Sequence, residues 1–348
     1  MYNEETLLTG LVERYSPTGA EAEAAAFLVQ VMEEWGFSAY MDEVGNAVGM
    51  LGDGEREILL LGHIDTVPGQ IPVRRSGDVL HGRGAVDAKG ALACFAAAAA
   101  QAGARRGWRL TVVGAVGEEG DSRGAKHLLQ THTPPQMVII GEPSGWDRVT
   151  LGYKGGMWFE YTVRQPLAHT ASQQASACEQ AVDFWMRLSK AADDYNKGRK
   201  KLFTHLNPSL RGMFSEDDGL YETARLRISL RLPQDLPPSE AQEFVRNLSN
   251  GGSFQFEEGV PAWNDSKNTP LVRALLAGVR AQGGIPCFSF KTGTSDMNLV
   301  APVWKCPAVA YGPGDSNLDH TPHEHVLISE YKACIAVLAQ ALTQLTET

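Results

Sequence analysis

The first half of the chain alternates short apolar runs with longer segments of helical composition. Each run is four or five residues long, mostly apolar on both faces and bounded by glycine or polar residues; the runs lie at 57–61, 110–113 and 137–140. The segments that have the composition of helices lie at 21–35, 88–102 and 122–130. Strands that are buried on both faces have this pattern in parallel sheets. The alternation therefore predicts a doubly wound α/β domain with a mostly parallel sheet.

The middle of the chain has a different pattern. Residues 225–232 alternate strictly, with leucine or isoleucine at even positions and polar residues at odd positions, which is typical of a half-buried antiparallel strand. Residues 158–164 mix aromatic and polar side chains, and a helical segment at 176–190 lies between the two strands. These features predict a smaller α+β domain at 152–262.

The first pattern returns after Pro261. Helical segments at 269–281 and 329–342 enclose an apolar run at 308–311. We therefore predict a discontinuous outer α/β domain into which the smaller α+β domain is inserted. The predicted outer domain comprises 1–151 and 263–348.

Composition and charge narrow the classes of function. Hydrophobic residues make up 43% of the 348 residues and charged residues 21%, as in folded proteins. The net charge of −10 argues against a nucleic-acid partner. The longest apolar stretch, at 91–100, is shorter than the roughly 20 residues that a membrane span requires, and the acidic N-terminus has no signal-peptide pattern. The five cysteines are far apart and form no CxxC pair, so we expect no disulfide framework and a cytoplasmic location.

Imidazole and carboxylate groups follow the ends of the predicted strands. In an open parallel sheet, ligands bind beyond the carboxyl ends of the strands, so side chains at these ends are expected to lie close together. One further carboxylate precedes the alanine-rich helix at 88–102. The complete set is His63, Asp65, Asp87, Glu118, Glu119, Glu142 and His320.

This set of ligands suits zinc, cobalt or manganese. It holds more carboxylates than one tetrahedral ion uses, which indicates two ions with a bridging carboxylate. We assign Asp87 as the bridge, His63 and Glu142 to one ion, and Glu119 and His320 to the other. The sequence leaves open which ion takes Glu119 and which takes Glu142.

Two of the carboxylates are predicted not to bind metal. Glu118 and Glu119 are adjacent, so their side chains point apart in an extended segment, and Glu118 is free to act as a general base for a water shared by the ions. Asp65 is expected to accept the second ring N–H of His63 and so to fix its tautomer. His323 and His325 compete with His320 for the role of ligand.

Five motifs together resemble the metal-site motifs of one family. They are LGHIDTVP at 61–68, GRGAVDAKG at 82–90, GEEG at 117–120, GEP at 141–143 and HTPHE at 320–324. Their order is that of the dinuclear zinc amidohydrolases and exopeptidases, the family of acetylornithine deacetylase, succinyl-diaminopimelate desuccinylase and carboxypeptidase G. The resemblance implies a zinc-peptidase type catalytic domain with an inserted lid domain, two divalent ions (zinc, with cobalt as the alternative) and a homodimer.

The resemblance also implies roles for individual residues. It assigns Glu118 as the base, Asp65 to orientation, and His320 rather than its neighbours to metal. The metal ligands that it implies are His63, Asp87, Glu119, Glu142 and His320. A lid histidine of the family, which stabilises the tetrahedral intermediate, corresponds to His169.

Three further motifs resemble the lysine-biosynthesis, or LysK-type, branch of the family. They are SPTG at 16–19, GYKGG at 152–156 and KTGTSDMN at 291–298. This branch releases lysine from an amino-group carrier protein, so the resemblance implies hydrolysis of the amide between the carrier's terminal glutamate side chain and the α-amino group of lysine or ornithine. The α-carboxylate of the leaving amino acid needs a cation, for which Arg231 is the candidate. Thr294 and Ser295 are candidates for additional hydrogen bonds to the substrate.

Other functions share the same metal core. The enzyme alternatives are an N-acetyl-ornithine or N-acetyl-lysine deacetylase and a dipeptidase or carboxypeptidase, which the fold does not distinguish. A metal-free binding or regulatory protein would lack a ligand or the base, and no such position is missing here. A carrier protein needs a docking surface, for which the basic segments at 197–201 and 105–106 are available.

Overall fold

The contacts within the chain divide it into two compact units. The computed structural model describes residues 3–103 and 105–347. The first unit contains the residues up to Gly152, together with Asn264–Phe290 and the residues from Ser295 onward. The second unit contains Tyr153–Trp263 and Lys291–Thr294.

Helices and strands alternate along most of the chain. The helices are α1 (Glu4–Glu13), α2 (Ala22–Glu34), α3 (Lys89–Ala102), α4 (Arg123–Thr131), α5 (Ala177–Asn196), α6 (Pro238–Arg246), α7 (Pro270–Ala281), α8 (Met297–Trp304) and α9 (Ile328–Thr346). The strands are β1 (Ser38–Met41), β2 (Ala47–Leu51), β3 (Arg56–His63), β4 (Arg74–Ser76), β5 (Val79–His81), β6 (Trp108–Ala115), β7 (Met137–Gly141), β8 (Arg148–Tyr153), β9 (Gly155–Pro166), β10 (Asn207–Asp217), β11 (Tyr221–Leu232), β12 (Ser253–Phe256), β13 (Trp263–Asn264), β14 (Cys287–Lys291), β15 (Ala308–Tyr311) and β16 (His325–Leu327).

The large sheet has a parallel centre and antiparallel margins. Its strand order is β1-β2-β6-β3-β7-β15-β8-β13, and β14 pairs with β8. Strand β3 pairs in parallel with β6 and β7, and β15 pairs in parallel with β7. These are the four apolar runs that the sequence predicts as buried strands, so the prediction of an α/β fold with a large, mostly parallel sheet is confirmed.

Helix α3 packs closely against the carboxyl ends of the central strands. A side chain at Gly141 would lie 3.0 Å from the ring of Phe95 and 2.9 Å from the backbone of Gly62. A side chain at Gly62 would in turn contact Leu92. The glycines therefore allow the helix to approach the sheet just before His63 and Glu142, the residues that follow them in the chain. This close packing fixes the positions of both side chains.

The second unit is a four-stranded antiparallel sheet with helices α5 and α6. Its strand order is β10-β11-β9-β12. In β11 the even-numbered residues from Ala224 to Leu232 are buried, so the predicted alternation is confirmed. Phe184 of α5 stacks on Tyr161 of β9 with ring centroids 3.9 Å apart, which joins the helix to the sheet in an apolar core.

Two expectations from composition concern the whole chain. Among the described residues, no helix combines the length and apolar character that crossing a membrane requires. All five cysteines are free thiols, so the expected absence of a disulfide framework is confirmed.

A buried carboxylate lies at the amino end of the parallel sheet. Glu57 of β3 is 3% exposed. It accepts hydrogen bonds from Arg109 Nε (3.0 Å), Thr111 Oγ1 (2.5 Å) and His132 Nε2 (2.7 Å). Burial raises the pKa of Glu57, but the hydrogen bonds outweigh it and lower the pKa from 4.5 to about 2. The carboxylate therefore joins β3, β6 and the end of α4.

We expect Glu57→Gln to lower stability at neutral pH and to have less effect in acid. The folded-state pKa lies below the ordinary value of 4.5, so the stabilisation is complete above that pH and is lost as the pH falls towards 2. The difference at pH 7 is on the order of 3 kcal/mol. Urea unfolding of both proteins between pH 7 and pH 2.5 measures it. Glu55→Gln is the control, because Glu55 is exposed; a gap that stays constant with pH would contradict the prediction.

Candidate metal centre

His63 ends strand β3 with its ring almost fully buried. Its Nδ1 lies 2.9 Å from the backbone oxygen of Asp65 and 3.5 Å from the Asp65 carboxylate. The nearer acceptor is thus the carbonyl, rather than the carboxylate that we expected. Because a carbonyl can only accept, Nδ1 carries the proton and Nε2 has a free lone pair. The ring is therefore prepared to bind a metal through Nε2.

The Asp65 carboxylate instead holds the loop that follows β6. It accepts the backbone N–H groups of Glu118 (3.0 Å) and Glu119 (3.1 Å) and the hydroxyl of Thr18 (2.7 Å). Burial raises the pKa of Asp65, but its interactions with His63 and with these donors lower it below the ordinary value. Asp65 therefore stays ionised, and it orients both glutamates through their backbone.

Asp87 faces two histidines with its two carboxylate oxygens. Its Oδ1 lies 3.1 Å from Nε2 of His63, and its Oδ2 lies 3.0 Å from Nε2 of His320. His320 Nε2 also lies 2.8 Å from Oε1 of Glu119. A carboxylate between two nitrogen ligands has the arrangement of a bridge between two ions.

The ligand atoms form groups that share Asp87. In the groups His63–Asp87–Glu142 and Asp87–Glu119–His320, all ligand atoms lie within 4.8 Å of one another. The sequence left open which glutamate accompanies which histidine, and the structure places Glu142 with His63 and Glu119 with His320. Glu118 lies in a third group of the same kind, with His63 and Glu119.

The electrostatics of the centre favour cations. Burial raises the pKa of Glu118 and Glu142 well above the ordinary value, and each is affected further by the neighbouring acids. The carboxylates of Asp87 and Glu119 raise the pKa of His320 to about 10. Burial opposes ionisation of Asp87, but His320 and His63 hold its pKa far below the ordinary value. Imidazole nitrogens and excess buried carboxylates are a donor set that fits divalent ions such as zinc.

The loop that carries His320 is fixed by Glu324. His320 has a positive φ of 62°, which is unfavourable for a residue with a side chain. Glu324 is fully buried, accepts N–H groups from Val86 (3.0 Å) and Asp87 (3.1 Å), and pairs with Arg83 at 2.8 Å. It therefore ties the loop to the segment of the bridging carboxylate. The sequence analysis quoted Glu324 within a motif but gave it no role.

Asp296 is a second residue whose importance the sequence analysis missed. It is 3% exposed, and its Oδ1 has no hydrogen-bond partner among residues 3–103 and 105–347. Its charge contributes to the raised pKa values of Glu118 and Glu142, so it lies near the centre. Ser295, nominated instead, is buried, and its Oγ accepts the N–H of Met297 at 3.3 Å. The signal was present, since Asp296 belongs to the motif at 291–298.

The other nominated substrate-binding residues lie in the second unit. Arg231 donates to Thr294 Oγ1 at 3.2 Å. A side chain at Gly156 would lie 3.0 Å from Thr294 and 3.4 Å from the Arg231 guanidinium, which explains the glycine in the motif at 152–156. Arg225 and Arg227, on the same face of β11, pair instead with Glu216 and Glu257.

His169 lies on an exposed loop of the second unit. Its Nδ1 accepts the backbone N–H of Ala171 at 3.1 Å. The proton of the neutral ring is therefore on Nε2, which is free to donate. Neither His169 nor Arg231 belongs to the groups of ligand atoms around Asp87.

Comparisons with known proteins agree with this chemistry. The sequence model of peptidase family M20/M25/M40 matches residues 59–344. The [LysW]-lysine hydrolase of Deinococcus radiodurans is 44% identical over 339 residues, which cover 95% of this chain and 93% of that protein. The [LysW]-lysine/[LysW]-ornithine hydrolase of Sulfurisphaera tokodaii is 28% identical, over 97% of this chain and 94% of that protein.

Solved structures share the fold across the whole chain. An M20 family metallo-carboxypeptidase from Sulfolobus solfataricus has a TM-score of 0.80 and 17% identity, with full coverage of both chains. The Bacillus subtilis YXEP protein, described as a dinuclear metal binding peptidase from the M20 family, has a TM-score of 0.75 and 12% identity, over 99% of this chain and 98% of that one. At these identities the likeness shows the fold alone.

Proposed function

The chain belongs to the peptidase family M20/M25/M40, and from that premise we propose that it is a metal-dependent hydrolase of a linear amide. Its substrate is an amino-group carrier protein whose C-terminal glutamate side chain is joined to the α-amino group of lysine, with ornithine as a second leaving group. The observation that carries the proposal is the 44% identity, over 95% of the chain, to a [LysW]-lysine hydrolase.

Two divalent ions fit the centre, with zinc as the metal and cobalt as the alternative. One would be held by His63, Asp87 and Glu142, and the other by Asp87, Glu119 and His320. When bound, such ions polarise a substrate carbonyl and lower the pKa of water. The buried acids support this assignment, because without cations their charges would be uncompensated.

Glu118 acts as the general base in the proposed mechanism. It takes a proton from the attacking water as the new C–O bond forms, and it gives that proton to the leaving nitrogen as the C–N bond breaks. Asp65 fixes the position of Glu118 through the backbone N–H. His169 is proposed to stabilise the oxyanion, because its Nε2–H is free to donate.

Arg231 is the proposed partner for the α-carboxylate of the leaving amino acid. Its guanidinium is half-buried and is oriented by Thr294, whereas Arg227 on the same face is exposed and paired with Glu257. A guanidinium that is held in place binds a carboxylate through two parallel hydrogen bonds at little entropic cost.

The comparison of substrates tests the proposed function. We expect kcat/KM for lysine-charged carrier protein to exceed that for N-acetyl-lysine and N-acetyl-ornithine by at least about tenfold, the effect of one favourable contact of about 1.4 kcal/mol. Amine release by zinc- or cobalt-loaded enzyme measures it. Equal or faster turnover of the acetyl compounds would replace the proposal by a general deacylase, and turnover of dipeptides alone would replace it by a peptidase.

Glu118→Gln is expected to lower kcat by about 10²- to 10⁴-fold while leaving the bound metal unchanged. The substitution keeps the size of the side chain but removes the base. Steady-state kinetics and metal analysis of the same samples measure the two quantities. Asp121→Asn, in the same loop and exposed, should behave as wild type. A Glu118→Gln protein that retained its turnover would exclude this base.

Arg231→Gln is expected to lower kcat/KM by about 10- to 100-fold, the loss of a hydrogen bond between charged groups. The effect should disappear with N-acetyl-lysinamide, which lacks the α-carboxylate, because wild type loses the same interaction there. Arg227→Gln is the matched control on the same strand face. Equal losses for the acid and the amide would show that Arg231 does not bind the carboxylate.

A further inference from the structure

A pocket lined by cationic and imidazole side chains lies on the small sheet of the first unit. Strands β16, β5 and β4 form this antiparallel sheet. The pocket has a volume of about 460 Å³ and is lined by Ile71, Pro72, Arg74, His81, Pro322, His323 and His325. No acidic residue is among these lining residues, although the chain as a whole has a net charge of −10. The pocket is therefore suited to an anion.

The register of the small sheet aligns the polar side chains of the pocket. His81 pairs with Arg74 on one side and with His325 on the other. Side chains at paired positions stand on the same face of a sheet, and the rings of His81 and His325 have centroids 5.2 Å apart. The three side chains thus form one row across three strands.

The donors of this row are available for a ligand. Arg74 is exposed, and no ion pair or hydrogen bond of its guanidinium is found within the described parts of the chain. Arg75, the next residue, instead pairs with Glu5. His325 Nδ1 lies 2.7 Å from the carbonyl of His323, so Nδ1 is the protonated nitrogen. The nearby Glu324 does not neutralise the row, because its carboxylate binds Arg83 and the backbone of Val86 and Asp87.

The pocket is not a second metal site. Within residues 3–103 and 105–347, the groups of three side chains whose ligand atoms lie within 4.8 Å of one another all belong to the centre around Asp87. An arginine beside histidines also repels cations. A carboxylate is the ligand that this chemistry favours.

The pocket lies within reach of the metal centre. His323 follows the ligand His320 by three residues, which span at most about 11 Å. Glu324, between the two pocket histidines, hydrogen-bonds to the backbone of Asp87. A ligand in the pocket would therefore be within a few residues' length of the scissile amide.

We propose that this pocket binds a carboxylate of the acyl part of the substrate, the polypeptide end that remains after lysine leaves. The inference rests on the proposed function. In the proposed substrate, the terminal glutamate uses its side chain for the amide, so its α-carboxylate is free. Acidic side chains that precede it are the second source of the same chemistry. N-acetyl-lysine has neither, which makes the pocket a site that distinguishes carrier from free acyl amino acids.

The test compares Arg74→Gln and His81→Gln with wild type on both substrates. We expect kcat/KM for the charged carrier to fall about 10- to 100-fold in the variants, whereas kcat/KM for N-acetyl-lysine should stay within about twofold. Arg75→Gln is the matched control, because it removes the same charge from the adjacent position. Calorimetric titration with uncharged carrier, the product of the reaction, should give a correspondingly weaker affinity for the variants.

Peptide substrates distinguish the two sources of the carboxylate. A γ-linked lysine peptide with its terminal α-carboxylate amidated, and one with its preceding acidic residues replaced by amides, are compared with the parent peptide. The source is the carboxylate whose removal abolishes the difference between wild type and Arg74→Gln.

The possible failures are separable. If wild type prefers the carrier but the variants match wild type on it, the pocket has no such role and the proposed function stands. Equal losses on carrier and N-acetyl-lysine would instead identify a structural effect on the metal centre and also overturn the inference. If wild type shows no preference for the carrier, the proposed function fails and the inference fails with it.

Discussion

The structure depends on one carboxylate, that of Asp87, which presents its two oxygens to histidines from opposite ends of the chain. The distances to His63 and His320 are 3.1 and 3.0 Å. Two further acids, Glu119 and Glu142, complete the groups around it. Like charges at this spacing in a partly dehydrated site repel one another strongly. The arrangement is therefore stable only if cations balance it and a rigid framework prevents the acids from moving apart.

That framework acts on the backbone rather than on the ligand side chains. Asp65 and Glu324 each accept two consecutive backbone N–H groups, from Glu118 and Glu119 in one case and from Val86 and Asp87 in the other. Both carboxylates are fully buried, so these hydrogen bonds do not compete with water. Each ligand segment is consequently fixed before its side chain chooses a rotamer, which is how a site achieves defined geometry on loops at the edge of a rigid sheet.

The sequence predicts the parts of this protein that local patterns determine. Apolar runs identify the central strands, the alternation at 225–232 identifies a half-buried strand, and the rule that ligands bind at strand ends identifies residues such as His63 and Glu142. The acceptor of the His63 ring was misjudged, because spacing does not show whether Asp65 offers its carboxylate or its carbonyl. Asp296 and the row from Arg74 to His325 were missed since they depend on strand register and burial, which only the folded chain reveals.

The ligand set by itself does not determine a substrate, since one metal core serves deacylases, peptidases and carrier-specific hydrolases alike. Discrimination must come from groups that contact parts of the substrate away from the scissile amide. A site that binds a substrate's charged group rejects an analogue without that group far more strongly than an apolar pocket rejects a smaller one. Oriented cationic side chains, such as Arg231 beside Thr294 and Arg74 beside His81, are groups of this kind. Because neither arginine belongs to the groups of ligand atoms around Asp87, substrate choice can change in this fold while the geometry of its metal ligands is preserved.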